Sequence, residues 1–302
     1  MKSVPISKFT FGIECENYVT DWPTDHEDTT ETRSRKFDNF NGVLIYYRNI
    51  VKRHMDDSDF VLHSDPENYD SSASAHIHFK ANVNDWDDYS FEVYDRLYEL
   101  IKLFQVFFKN SPGNGVLSKR HSGRDWCELH KVDKSTFSGI ERDYNALTPN
   151  RGVGTLEFRY MDVPKSLNQL SIFYYILNLA IDKNIEIPKV KNDLIIHKLK
   201  EIDKPINEFF SYKDLETIDN YKSTYRKMIY DFLDEVEKKS KLMYYDFYGE
   251  RYVSFKTLIK DSLKYEFKMF KKFFKNNESE EKWSEDLKKR FCKSIKINLI
   301  KE

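Results

Sequence analysis

Cysteine is scarce in this 302-residue chain, with three copies. Cys15, Cys127 and Cys292 stand far apart and form no Cys-x-x-Cys pair. That excludes a disulfide frame and a zinc knuckle, and the thiols read as free in a reducing compartment. A secretion signal is missing, because the opening Met-Lys-Ser-Val-Pro-Ile has no apolar core. Long hydrophobic runs are missing as well. The most apolar stretch, Ile172 to Ile181, is interrupted by Asn178 and falls far short of a membrane span. These absences predict a soluble cytoplasmic protein with no membrane partner. Glycine is low too, at 9 copies beside abundant Lys, Asn, Ile, Tyr and Phe, a composition that fits AT-rich coding.

Net charge is nearly absent, at −1, so the molecule as a whole argues neither for nor against a polyanionic partner. The charge is uneven along the chain. From Arg251 to Glu302 there are 15 Lys and Arg against 8 Asp and Glu, a local +7 that leaves −8 for the rest. No aromatic–basic interleaving on a strand accompanies this Lys-rich end, so it reads as a solvated face and not as a nucleic-acid surface. With 33% charged, 40% hydrophobic and 16% aromatic residues, the chain has a globular composition and length for one large domain or two modest ones.

Against this background one stretch organises the chain. Arg151 to Asp162 reads as a strand, with Leu156, Phe158 and Tyr160 alternating with Thr155, Glu157 and Arg159 after Gly152 and Gly154. Glu157 and Arg159 therefore share a face, one pleat apart. Two other segments repeat the device. Phe11, Ile13 and Cys15 alternate with Glu14 and Glu16, and Ala75, Ile77 and Phe79 alternate with His76 and His78. Taken singly, each pair has a plainer reading as a surface ion pair, a solvated acid pair or satisfied histidines. Together, three strands could set Glu14, Glu16, His76, His78, Glu157 and Arg159 on one sheet face. Carboxylates with imidazole suit a divalent cation, Mg²⁺ or Mn²⁺, and an arginine among them suits a phosphate or carboxylate.

Elsewhere the spacing predicts a loop over Asp21 to Asp38, a helix from Phe40 to Met55 and a short strand at Phe60 to His63. Turn chemistry fills Asp65 to Ser74, and an amphipathic helix runs from Ser90 to Lys109. Ser118 to Glu128 is a basic loop holding Arg120 and Arg124. Pro164 closes the central strand region, and Ser166 caps a helix reaching Ile181. Beyond Lys183, Lys/Glu-rich patterns predict helices over Asp219 to Met243, Ser254 to Phe274 and Glu281 to Ile295. The division expected is 1–183 as the catalytic part and 184–302 as a mostly helical, Lys-rich half.

The order of these motifs resembles a family. Phe-Gly-Ile-Glu-Cys-Glu is similar to the opening strand of the carboxylate–amine ligases related to glutamine synthetase and glutamate–cysteine ligase. Ser74 to Phe79 resembles their histidine strand, and Thr155 to Arg159 their late Glu-x-Arg strand. The nearest likeness is the small amidoligase group of bacteria, fungi and viruses, in which an arginine loop ending in an aromatic–Cys step answers to Arg120 to Cys127. The likeness covers about Phe11 to Ile181. It departs at Ala75, where Gly is frequent, and between Asp21 and Ser74, where an acidic ligand segment is expected and Phe60 to Pro66 offers a histidine.

The resemblance implies an α+β fold, a curved antiparallel sheet with helices on one face. It also implies ATP-dependent amide formation through an acyl phosphate, joining an acid and an amine that are small molecules or peptide side chains. In that scheme Glu14, Glu16, His78 and Glu157 hold Mg²⁺, His76, His78 and Arg159 contact ATP, and Arg159 with Arg120 or Arg124 steadies the transferred phosphoryl group. An oligomer is compatible with the scheme. Two other readings stay open, a metal-dependent hydrolase or nuclease on the same face and a catalytically lapsed fold serving as a binding module.

Overall fold

Alternation of apolar and polar side chains builds the central sheet. In the computed structural model, which describes residues 4–16, 31–56, 74–108, 129–140, 145–162, 164, 166–190, 227–262, 264, 289 and 300–301, Phe9, Phe11, Ile13 and Cys15 of β1 (Phe9–Glu16) are buried. So are Ala75, Ile77 and Phe79 of β3 (Ser74–Ala81), and Leu156 and Phe158 of β5 (Thr155–Asp162). With β2 (Glu31–Arg33) and β4 (Leu147–Asn150) these strands form a five-stranded sheet in the order β2-β1-β3-β5-β4. All its pairings are antiparallel, which gives an α+β protein.

The apolar face is covered by helices. Asn39 accepts the Gly42 N–H to start α1 (Phe40–Arg53), and Phe40 meets Phe11 edge-on at 5.2 Å. Trp86 opens α2 (Trp86–Leu103) and packs edge-on against Phe9 at 6.1 Å. That contact, with Asp87 and Asp88 favouring the first turn, starts the helix four residues ahead of the Ser90 that periodicity suggests. A break at Phe104 precedes the short α3 (Gln105–Phe108), and α4 (Lys134–Gly139) follows. Ser166 caps α5 (Leu167–Ile181) as its position implies, accepting from Gln169 N–H at 3.2 Å.

The helix α5 is apolar nearly all round because it is covered on both sides. Toward the sheet, Phe173 stacks on Phe158 at 4.6 Å. On the other side Tyr175 meets Tyr244 at 4.5 Å, and buried Asn168 donates to Asp246 at 2.8 Å while accepting from Phe247 N–H. Arg96 of α2 closes its C-terminal end, donating to the carbonyls of Ala180 at 2.6 Å, Asp182 at 2.8 Å and Ile185 at 2.8 Å.

Several details depart from the sequence pattern. Residues 151–154 are a turn and not the head of a strand. Gly154 has φ +66°, the left-handed region glycine favours, and the turn returns the chain from β4 to β5. Within the expected 21–38 loop, 31–33 pair with β1 as an edge strand. In the second half, helices over 227–239 and 255–262 match two of the expected patterns, but the run between them is a hairpin. Its strands β6 (Met243–Asp246) and β7 (Arg251–Ser254) are joined by β8 (Ile300–Lys301) in the order β7-β6-β8. Phe60 to His63, the Ser118 to Glu128 loop and the helix over Glu281 to Ile295 lie outside the described residues, apart from isolated Lys289. No helix among the described residues is long and apolar enough to cross a membrane.

Candidate metal centre

Register assembles the site on the polar sheet face, opposite the helices. Directly opposed residues in an antiparallel pair project to the same side. One rank across the strands runs Arg33–Glu14–His76, and the next runs Gly12–His78–Glu157–Thr148. A register shift opposite His76 completes the set. Ala75 pairs with Met161 but Ile77 with Phe158, so Arg159 and Tyr160 together face one residue of β3. This β-bulge re-phases β5 and sends Met161 to the apolar face with Ala75. Glu157, ahead of the bulge, and Arg159, its first residue, both stay on the polar side.

The resulting distances are short. Glu157 Oε1 lies 2.5 Å from Arg159 Nη1, 3.3 Å from His76 Nδ1 and 3.9 Å from His78 Nε2, and its Oε2 accepts from Asn150 at 3.1 Å. Glu14 Oε1 is 3.1 Å from His78 Nε2 and 3.3 Å from Arg33 Nε, and its Oε2 is 3.8 Å from His76 Nδ1. His76, Glu157 and Arg159 are buried, while Glu14 and His78 reach the wall of a cleft of about 830 Å³. Thr155 Oγ1, 3.1 Å from His78 Nδ1, fixes that ring.

Electrostatics follow from the packing. Burial works against ionisation of Glu157. The hydrogen bond from His76 and the Arg159 charge outweigh it, with both histidines adding attraction, and bring the carboxyl down to about 2. Burial likewise opposes ionisation of Glu14, and the bonds from His76 and His78 prevail, holding it well below the usual carboxylate range. Both acids are therefore anions at neutral pH.

The donor set fits a divalent cation. Glu14, His76 and Glu157 each offer one ligand atom, all within 4.8 Å of one another. A cation bonded at about 2.1 Å sits among ligands about 3–4 Å apart, so small side-chain movements close these three on it. His76 Nδ1 faces two carboxylates and so must either donate a proton to them or share a cation with them. Ser74 Oγ, 3.3 Å from Nε2, serves both cases, giving its proton in the first and accepting one in the second.

No protein-family model matches the chain, and no curated protein matches it.

Of the residues singled out by sequence, Glu14, His76, His78, Glu157 and Arg159 come together. Glu16 ends β1 in register with Glu31 and Ser74. Arg120 and Arg124 lie outside the described residues. Cys15 is buried on the apolar face, away from the acids as alternation requires. Two contributors escaped the sequence patterns. Arg33 sits in a charged segment that reads as loop, and Asn150 precedes a turn that reads as the head of a strand.

Proposed function

We propose that the chain is an ATP- and Mg²⁺-dependent carboxylate–amine ligase, with a glutamine-synthetase-like curved sheet in 1–183 and a mostly helical, Lys-rich 184–302. The observation that carries this is the convergence of two carboxylates, two imidazoles and a guanidinium from three separated strands onto one face beside a cleft. The overall reaction joins an acid and an amine as an amide, with ATP becoming ADP and phosphate through an acyl phosphate.

Glu14, His76 and Glu157 would hold the divalent cation, which when bound supplies charge to offset crowded phosphate oxygens. The remaining work belongs to this chain's side chains. Arg159 and Asn150 clamp Glu157 in one orientation, and Arg33 does the same for Glu14. Arg159 places a fixed positive charge beside the acids without needing to move. His78, held by Thr155 through Nδ1, stands at the cleft wall and turns its Nε2 to Glu14, which it helps to orient.

A second reading, a metal-dependent hydrolase or nuclease, is favoured by the imidazoles, which suit transition metals more than Mg²⁺. Calorimetry of Mg²⁺-dependent ATP binding separates the readings, with Glu14→Gln as the control because Glu14 is the less buried acid. ATP binding that is lost in the variant supports the ligase. Metal binding without ATP binding supports the hydrolase, and binding of neither leaves a lapsed fold acting as a binding module.

A further inference from the structure

The cleft beside the metal centre has a second end. His76, His78 and Lys80 alternate along β3, so Lys80 projects from the same sheet face as the two histidines. Lys80 pairs in register with Thr10, and His76 with Glu14. Four residues of extended strand, about 13 Å, separate these two levels. Thr10, Lys80 and Thr155 line the cleft at one level, and Glu14 lines it at the other.

Between the levels lies Gly12, opposite His78. A Cβ there would meet Ser34 Oγ at 3.8 Å and His78 Cβ at 3.9 Å, ordinary contact distances. Packing does not demand the glycine. Its effect is to keep the cleft floor low where a ligand would cross.

The Lys80 ammonium has no acidic partner among the described residues. Arg33, the other strand-borne cation of the cleft, is committed to Glu14. Lys80 is nonetheless placed by the structure. Its Nζ sits against the 151–154 turn, where a Cβ on Gly154 would come within 3.2 Å. Of the two acids that line the cleft, Glu14 is engaged by Arg33 and the histidines, and Asp38 makes no ion pair with Lys80. A half-buried ammonium over a cleft with Thr10, Asn82, Asn150 and Thr155, and no ion-paired acid among the described residues, is a site for an oxyanion.

We infer that Lys80 anchors the substrate. It binds a carboxylate or phosphate oxyanion at the end of an elongated small molecule whose reacting end lies across Gly12, at Glu14 and His78. This rests on the reading of the cleft as the substrate site. It adds a specificity rule: substrates carry a negative group remote from the reacting one.

The test uses the full chain with inorganic phosphate and acetate as probes. Each is titrated by calorimetry into wild type, Lys80→Met and Lys80→Arg, and Mn²⁺ affinity is measured separately by electron paramagnetic resonance. Lys80→Met should weaken binding of the preferred anion about tenfold or more, the loss of one charge-assisted contact. Lys80→Arg should restore most of it, and Mn²⁺ affinity should stay within about twofold of wild type in both variants. Preference for phosphate or for acetate tells which oxyanion the anchor takes. Equal anion affinity in wild type and Lys80→Met, or no binding of either probe by wild type at about 50 mM, overturns the assignment. Failure of wild type to bind Mn²⁺ strikes the ligase reading alone, and the anion titration then still decides Lys80.

Discussion

His76 Nδ1 lies 3.3 Å from Glu157 Oε1, with both side chains almost wholly removed from water. The two come from β3 and β5, about eighty residues apart in sequence, and the bulge on β5 fits them together. Arg159 completes the contact at 2.5 Å on the same oxygen. A buried anion with such partners is costly to strip of them, and several measurable consequences follow.

Glu157→Gln leaves the Arg159 guanidinium buried without its counter-charge. The expected cost is about 3–5 kcal/mol in urea denaturation. Arg159→Met should cost a similar amount. The double variant should lose less than the sum of the two, because it removes both charges at once. Additive costs would show that the pair is not coupled.

Glu14→Gln should behave differently. Glu14 is partly open to the cleft and flanked by Arg33, itself half exposed. Its replacement should cost about 1 kcal/mol of stability or less, while Mn²⁺ affinity falls at least tenfold. Unchanged Mn²⁺ affinity would remove Glu14 from the ligand set.

Acid should unfold the protein through these two carboxyls. The ordinary glutamate value is 4.5, and folding brings Glu157 down to about 2. A carboxyl whose folded value lies below its unfolded one contributes stability that is fully present above about 4.5, and loses it as pH falls toward about 2. Glu14 shifts in the same direction and adds to the slope. Denaturation midpoints measured across this window should fall with pH in wild type and flatten in Glu157→Gln.

Arg96→Met should cost about 2 kcal/mol or more, read as a lowered thermal midpoint, because the Ala180 carbonyl of α5 and the Asp182 and Ile185 carbonyls just beyond it lose a half-buried donor. Arg96→Lys should recover little, since one ammonium cannot span three carbonyls set around a fork. Full recovery by lysine would mean that charge alone matters at this helix end.

The sheet's inner strands were legible because each carries the period-two signature in full. Phe11, Ile13 and Cys15 oppose Glu14 just as Ala75, Ile77 and Phe79 oppose His76 and His78, so face and partners followed from pattern alone. The flanking strands were not. β4 is four residues with Pro149 inside, which reads as a turn, and β2 is three polar residues whose strand character comes only from pairing with β1. The bulge on β5 was also invisible, since Tyr160 continues the apparent alternation and only the pairing with β3 reveals the extra residue. The hairpin of β6 and β7 was not legible either, because its two four-residue strands lie between Lys/Glu-rich helical patterns that dominate this part of the chain. Among site residues, those in pairs announced themselves. Arg33 and Asn150 are defined by where their strands dock.

The borders of the five-stranded sheet have a consequence for how the chain survives its own synthesis. Strands three and four residues long, one of them interrupted by Pro149, give a neighbouring molecule little backbone to pair with once folding is complete. The eight-residue strands β1, β3 and β5 are the sticky ones, and each must wait for a partner distant in the sequence. Self-association should therefore be a hazard of the nascent or heat-loosened chain far more than of the finished protein. Slow, cool expression is the condition under which this molecule should be recovered in quantity.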